Sequence, residues 1–254
     1  MLSRVPPGSA VCLRPGVYPE HITVDRGITL WGPRDAIIRS DGTGTTVRAT
    51  GRGTRLLGFT IEGSGSRYDK MDSALHIQGE DIQAEGLFIR RAVFGVNVER
   101  SSRVALRGNV IQGSGEAALG LRGDGIRFWE VTDSGIERNF VTDSRDLVIR
   151  YTKRIRIAGN VSTRGRYGLH LMYSSDAALE GNRSLGNVVG TFIMYSRDVR
   201  YRRNLIAASA GAAGIGLGMK ESGNVTVEDN VSLRNTVGLY LDTSPLQLGD
   251  ANTF

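Results

Sequence analysis

Asparagine recurs along this chain at a spacing that few folds can accommodate. Asn109, Asn139, Asn160, Asn182, Asn204 and Asn230 follow one another at intervals of 30, 21, 22, 22 and 26 residues, a base period near 22 with insertions of four to eight. Upstream the asparagine is lost but glycine keeps the period, with Gly32, Gly58, Gly86 and Gly108 spaced 26, 28 and 22 apart. A period of 20 to 50 residues signals a repeat architecture, in which each unit buries its apolar face only against its neighbours.

A second motif locks to the same period. Seven-residue blocks beginning at Gly95, Gly125, Asp146, Gly168, Gly190, Gly216 and Gly238 align place for place. Their second and fourth places are nearly all apolar: Val96/Val98, Ile126/Phe128, Leu147/Ile149, Leu169/Leu171, Thr191/Ile193, Leu217/Met219 and Leu239/Leu241. The third and fifth places are mixed, so each block reads as a strand with one buried face. Another short alternating run, such as Val104 to Leu106, Ile155 to Ile157 or Val225 to Val227, precedes each asparagine. Nowhere does a long 3.6-residue periodicity appear. Leucine-rich repeats would need a helical half, and a propeller a period near 40.

The pattern predicts an all-β chain: a single right-handed parallel β-helix over residues 1–254 with roughly nine or ten coils. The expected core is Val96, Val98, Ile126, Phe128, Leu147, Ile149, Leu169, Leu171, Ile193, Leu217, Leu239 and Leu241. The asparagines should stack at one turn and satisfy buried backbone groups, a structural role. A glycine just before several of them permits positive φ.

Composition narrows the function. Thirty-four glycines and only six prolines fit many tight turns. The one cysteine, Cys12, excludes an internal disulfide and a multi-cysteine metal cage. A net charge of +6 is spread along the chain rather than clustered, so nucleic acid is not an expected partner. No run approaches the length of a membrane span. The amino terminus, Met-Leu-Ser-Arg-Val-Pro-Pro-Gly, carries no apolar signal region.

Stacking converts places into surface columns. The third-place column runs Asn97, Arg127, Val148, His170, Phe192, Gly218, Tyr240. The fifth runs Glu99, Trp129, Arg150, Met172, Met194, Lys220, Asp242, and the sixth Arg100, Glu130, Tyr151, Tyr173, Tyr195, Glu221, Thr243. A solvent-facing solenoid wall should be bland, whereas this one carries aromatic, thioether and imidazole groups. His170, Met172 and Met194 should converge on one outward patch. One imidazole and two thioethers form a soft donor set suited to Cu(I) rather than to Mg or Ca. Because the imidazole must be neutral, binding is expected to weaken below about pH 6. The same strip can instead be read as a protein-docking surface, with Trp129, Tyr173, Phe192, Tyr195, Lys220, Glu221, Tyr240 and Asp242 as its contacts.

A sugar-binding or sugar-cleaving reading rests on fold analogy alone. Glu130 and Asp242 lie too many coils apart to act together, and no pair of aspartates is expected on this face. No catalytic residue is assigned and the chain is read as a non-enzyme. His21 and His76, in the early coils, read as turn or surface residues.

The runs from Gly125 to Glu130, Asp143 to Val148, Gly165 to Ser174, Asn187 to Ser196, Gly216 to Ser222 and Thr236 to Pro245 resemble the NosD family, most specifically over residues 123–245. That resemblance implies a periplasmic β-helix that matures nitrous oxide reductase. It implies work with an ABC transporter of NosF and NosY type and a copper-chaperone lipoprotein of NosL type, with Cu(I) as a transient cargo. The family's leader, and its carboxyl-terminal part beyond about Pro245, are expected to be missing from this chain.

Overall fold

The computed structural model describes residues 4–245 and 249–254; the first three residues of the amino-terminal run and residues 246–248 lie outside the described residues. Among the described residues there are β-strands, a short 3-10 turn at Leu119–Leu121 and no α-helix. No helix among them is long and apolar enough to cross a membrane.

Every strand pairing is parallel and joins a residue to its equivalent one coil later. Leu169 pairs with Thr191, Thr191 with Leu217, and Leu217 with Leu239. One coil follows Tyr167–Met172, Ser175–Glu180 and Arg183–Leu185 before Val189–Met194 begins the next. The third strand of each coil stacks into a ten-stranded sheet, and the other two lie in a 19-stranded sheet. This is the parallel β-helix that the period implied, and the last strand, Val237–Asp242, opens a further turn.

Second- and fourth-place side chains fill the interior. Val96, Val98, Ile126, Phe128, Leu147, Ile149, Leu169, Leu171, Ile193 and Leu217 are all buried. Leu239 and Leu241 are not: each is 44% exposed, a correction to the expected core. Their strand pairs with Ile215–Lys220 on one side, and among the described residues no further strand stacks on the other. Glycine at first place has a packing cause. A Cβ on Gly190 would meet Ile206 Cγ2 at 2.0 Å and the Gly216 carbonyl oxygen at 2.6 Å.

The asparagines form the expected ladder. Each side-chain amide donates to the Oδ1 of the next: Asn109 to Asn139 at 2.9 Å, Asn139 to Asn160 at 3.0 Å, Asn160 to Asn182 at 3.0 Å, Asn182 to Asn204 at 3.1 Å and Asn204 to Asn230 at 3.0 Å. The same Oδ1 also accepts the preceding asparagine's backbone N–H, as Asn204 does from Asn182 at 2.9 Å. A second ladder runs through the seventh-place serines. Ser196 Oγ accepts the Ser174 N–H at 3.2 Å, and Ser222 Oγ accepts that of Ser196 at 3.2 Å.

Between those serines and the strands lies a corner with an unusual cost. The whole sixth-place column from Arg100 to Thr243 sits at φ between 44° and 55°, including Tyr151, Tyr173 and Tyr195. Bulky residues rarely occupy this left-handed region. Holding three tyrosines there fixes their rings in one line on the solenoid's edge.

Candidate functional site

The register of the strands sets the columns. Trp129 pairs with Arg150, Arg150 with Met172, Met172 with Met194, Met194 with Lys220, and Lys220 with Asp242. The third-place column is equally continuous from Asn97 to Tyr240. Paired residues sit about 4.8 Å apart, so Met172 and Met194 are immediate neighbours while Trp129 and Asp242 lie two rungs from the methionine pair at either end.

His170 reaches diagonally across one rung. Its Nε2 lies 3.1 Å from the Met194 Sδ. The imidazole nitrogen and the thioether sulfur thus face each other directly. If Nε2 carries the proton it donates to the thioether; accepting a metal moves that proton to Nδ1. The side chain is less exposed than an outward place implies. His170 is 9% exposed, with Tyr167 stacked on its ring at 4.4 Å and Phe192 edge-on at 6.3 Å. Burial pushes its pKa down to about 4; Asp146 opposes this and Arg166 and Arg150 add to it. The ring therefore stays neutral well below the ordinary histidine range. Among the described residues no three His, Cys, Asp or Glu side chains converge on a metal-sized point.

The aromatic residues form a frame around these donors. Tyr151, Tyr173 and Tyr195 stack ring on ring at 5.1 and 4.7 Å, and Trp129 meets Tyr151 edge-on at 4.9 Å. Their faces are turned to one another, leaving edges and hydroxyls outward. Phe192 leans over Gly218, where a Cβ would strike its ring at 2.5 Å, toward Tyr240 at 6.5 Å between centroids. Lys220 Nζ is 3.0 Å from the Asp242 carboxylate, a hydrogen bond that raises the lysine pKa and lowers that of the aspartate. Glu221 occupies the left-handed corner beside them.

Next to the methionines the wall opens into a cleft of about 420 Å³ whose lining includes Met71, Trp129, Arg150, His170 and Met172. Two insertions wall it, over residues 63–72 and 113–125, the segments that lengthen the repeat to 28 and 30 residues. They meet where the Tyr68 hydroxyl donates to the Leu121 carbonyl. The cleft floor holds a pair of aspartates that lies off the strand face, where none was expected and none is found among the described residues. Asp124 and Asp146, both buried, lie one coil apart and share Arg145, whose side chain is 2.9 Å from the first and 3.9 Å from the second. Burial pushes Asp124 up to about 6 against the pull of Arg145, with Asp146 adding to the rise. Arg166 binds Asp146 at 3.1 Å through Nε. Asp124, Arg166, Tyr167 and Met71 were missed by the sequence reading because they stand outside the seven-place block. Asp146 stood within it, at the place where the other six coils carry glycine.

The sequence model of the NosD family, described as a periplasmic copper-binding protein, matches residues 114–254, more than half of the chain and all of the methionine site. A Stutzerimonas stutzeri protein named a probable ABC transporter binding protein NosD is 29% identical over 133 residues, 52% of this chain and 30% of that protein. The chain thus spans about a third of the curated relative it matches. Among solved structures, the A-module of the mannuronan C-5 epimerase AlgE6 from Azotobacter vinelandii superposes with a TM-score of 0.69 at 15% identity, over 87% of this chain and 66% of that one. The polygalacturonase of Erwinia carotovora ssp. carotovora gives 0.69 at 14% identity, over 100% and 89%. At such identities the likeness is one of fold.

Proposed function

The chain belongs to the NosD family, and on that premise we propose that it is a non-enzymatic maturation factor. It docks a copper chaperone of NosL type and, with an ABC transporter of NosF and NosY type, helps deliver copper to nitrous oxide reductase in the periplasm. The observation that carries this reading is the 3.1 Å approach of His170 Nε2 to Met194 Sδ with Met172 one rung away. Three neutral soft donors match a soft monovalent ion, and an incomplete shell lets the ion leave again. Trp129, Tyr173, Phe192, Tyr195, Tyr240, Glu221 and the Lys220–Asp242 pair frame the donors and would meet the chaperone.

The test is an anaerobic Cu(I) titration of the chain with and without the chaperone lipoprotein, repeated on Met172→Ile with Met194→Ile. Isoleucine keeps apolar contact and removes both sulfurs. Copper transfer should fail in the double variant while chaperone binding largely survives. Normal maturation of the reductase by that variant would make the methionines packing residues and remove the metal claim.

A second reading, a carbohydrate-binding or carbohydrate-cleaving protein, draws on the cleft alone. Two buried carboxyl groups with Asp124 held near 6 could serve acid–base chemistry. Both, however, are held by arginines, Asp124 by Arg145 and Asp146 by Arg166. Release of reducing ends from oligogalacturonate, abolished by Asp124→Asn, would favour it.

A further inference from the structure

The fifth-place column brackets the methionine pair with two cations: Arg150 stands one rung before Met172 and Lys220 one rung after Met194. Their surroundings differ. Lys220 is answered by Asp242 at 3.0 Å. Among the described residues Arg150 is answered by no carboxylate. Its Nε is buried without a hydrogen-bond partner, and its one side-chain bond is a donation from Nη2 to the Tyr151 hydroxyl at 3.3 Å. The other guanidinium groups of the cleft are committed: Arg145 to Asp124, Arg166 to Asp146, and Arg127 to Asn97 and Glu99 at 2.9 and 3.0 Å.

Arg150 is also held in place. Its guanidinium lies over Trp129, Tyr151 and Tyr173, 4.9, 5.0 and 5.3 Å from the ring centroids. Such a fixed, planar fork with free donors is suited to a carboxylate. The uncompensated charge has a second consequence. A monovalent cation entering between His170 and Met194 meets repulsion from Arg150, one rung before Met172. An anion on Arg150 would cancel that repulsion.

We infer that Arg150 is the anchor for a carboxylate side chain presented by the protein that brings the copper, and that this carboxylate and Cu(I) at the His170–Met194 pair strengthen each other's binding. The copper half of this inference rests on the proposed function; the carboxylate half does not. A protein occupant is favoured over an acidic sugar because the rings beside Arg150 are already engaged by cations or by one another. Trp129 has Arg127 at 4.6 Å and Arg150 at 4.9 Å from its centroid, and the tyrosines are stacked on one another.

The experiment follows the fluorescence of Trp129, in a Trp31→Phe background, on titration with three probes. These are a capped glycine-rich peptide carrying two glutamates, its glutamine counterpart, and trigalacturonate, each with and without saturating Cu(I) under anaerobic conditions. The glutamate peptide should bind at least about tenfold more tightly than the glutamine peptide, as charge-assisted bonds outweigh neutral ones. Arg150→Gln should remove that difference, and Arg150→Lys should restore part of it. Cu(I) and the glutamate peptide should raise each other's affinity by the same factor, as linkage requires. Equal binding of the two peptides, an unchanged Arg150→Gln variant whose circular dichroism is native, or binding of trigalacturonate without the peptide would overturn the anchor. A linkage factor of one would overturn the coupling. Failure of Cu(I) to bind the unaltered chain would count against the proposed function, and the metal-free peptide titration would still decide the anchor.

Discussion

The imidazole Nε2 of His170 and the thioether sulfur of Met194 face each other at 3.1 Å across one coil of the solenoid. Neither residue is close to the other in sequence. The β-helix brings them together because the near-22 repeat sets place against place, and because the third and fifth places of one strand point to the same face. The contact is also dry on the histidine side, where Tyr167 and Phe192 enclose the ring. Burial therefore keeps the imidazole neutral, the state in which it can donate a lone pair to a soft ion.

Copper affinity should be nearly constant from pH 7.5 to about 5 and fall steeply toward pH 4, because the His170 pKa is depressed to about 4. An anaerobic competition titration against a Cu(I) chelator at several pH values checks this. A midpoint near pH 6.5 would mean that the ring is as solvated as in a free peptide.

Within the cleft, His170 and Asp124 give stability opposed pH dependences. For His170 the folded pKa, about 4, lies below the unfolded 6.5. Its contribution is complete above pH 6.5 and is lost as pH falls toward 4, roughly 3 kcal/mol at about 1.4 kcal/mol per pKa unit. For Asp124 the folded pKa, about 6, lies above the unfolded 3.8, so its contribution is present at low pH and lost as pH rises through 6. Between pH 4 and 6 the two slopes offset each other. Urea unfolding of Asp124→Asn should therefore show stability rising with pH over that window, and His170→Gln the reverse. Parallel profiles for both variants and the parent would contradict the assigned burial effects.

Much of this was legible beforehand, and the exceptions have physical causes. The period and the alternation of Leu169, Leu171 and Ile193 fixed both the fold and the buried side, since place determines the direction of a side chain in a strand. They could not tell that no strand among the described residues covers Leu239 and Leu241, because alternation says which way a residue points and not what lies there. The columns anticipated the approach of His170 to Met194 and the register of Met172 beside Met194. The burial of His170 depends on Tyr167, one place before the block, and on the ring of Phe192 leaning into the space left by Gly218. The cleft escaped notice because its walls are the insertions themselves, which have no equivalent in the other coils, and because Asp124 and Asp146 sit at the entrances to strands rather than along them.

Leu171→Asp should be severely destabilising, more than about 3 kcal/mol, since it places an unpaired charge between two coils. The same change at Leu241, exposed at the end of the described stack, should cost less than about 1 kcal/mol. Thermal unfolding of the two variants side by side is the measurement. Equal losses would show that the last turn is covered in solution.

Asn182→Ala removes an acceptor for the Asn160 backbone N–H and side-chain amide, and a donor to the Ile157 carbonyl. A loss on the order of 1–3 kcal/mol is expected, with copper binding retained per folded molecule. Normal stability with lost copper or chaperone binding would move this asparagine from the frame to the site.

Tyr173 separates framework from docking surface. It is held at φ 48° and stacked between Tyr151 and Tyr195. Replacing it with asparagine, which tolerates the left-handed region, relieves about 1 kcal/mol of backbone strain. The change forfeits two ring contacts worth roughly 0.5–1.5 kcal/mol each. Net stability should thus change little, by about 1 kcal/mol, so the variant folds and can be tested for binding. If the tyrosine edge meets the chaperone, Tyr173→Asn should weaken its binding several-fold, measured by calorimetry, while Cu(I) affinity of the isolated chain stays the same. A loss of stability of 2 kcal/mol or more with chaperone binding intact would instead make the three stacked rings a second structural ladder, parallel to the asparagines and with no part in recognition.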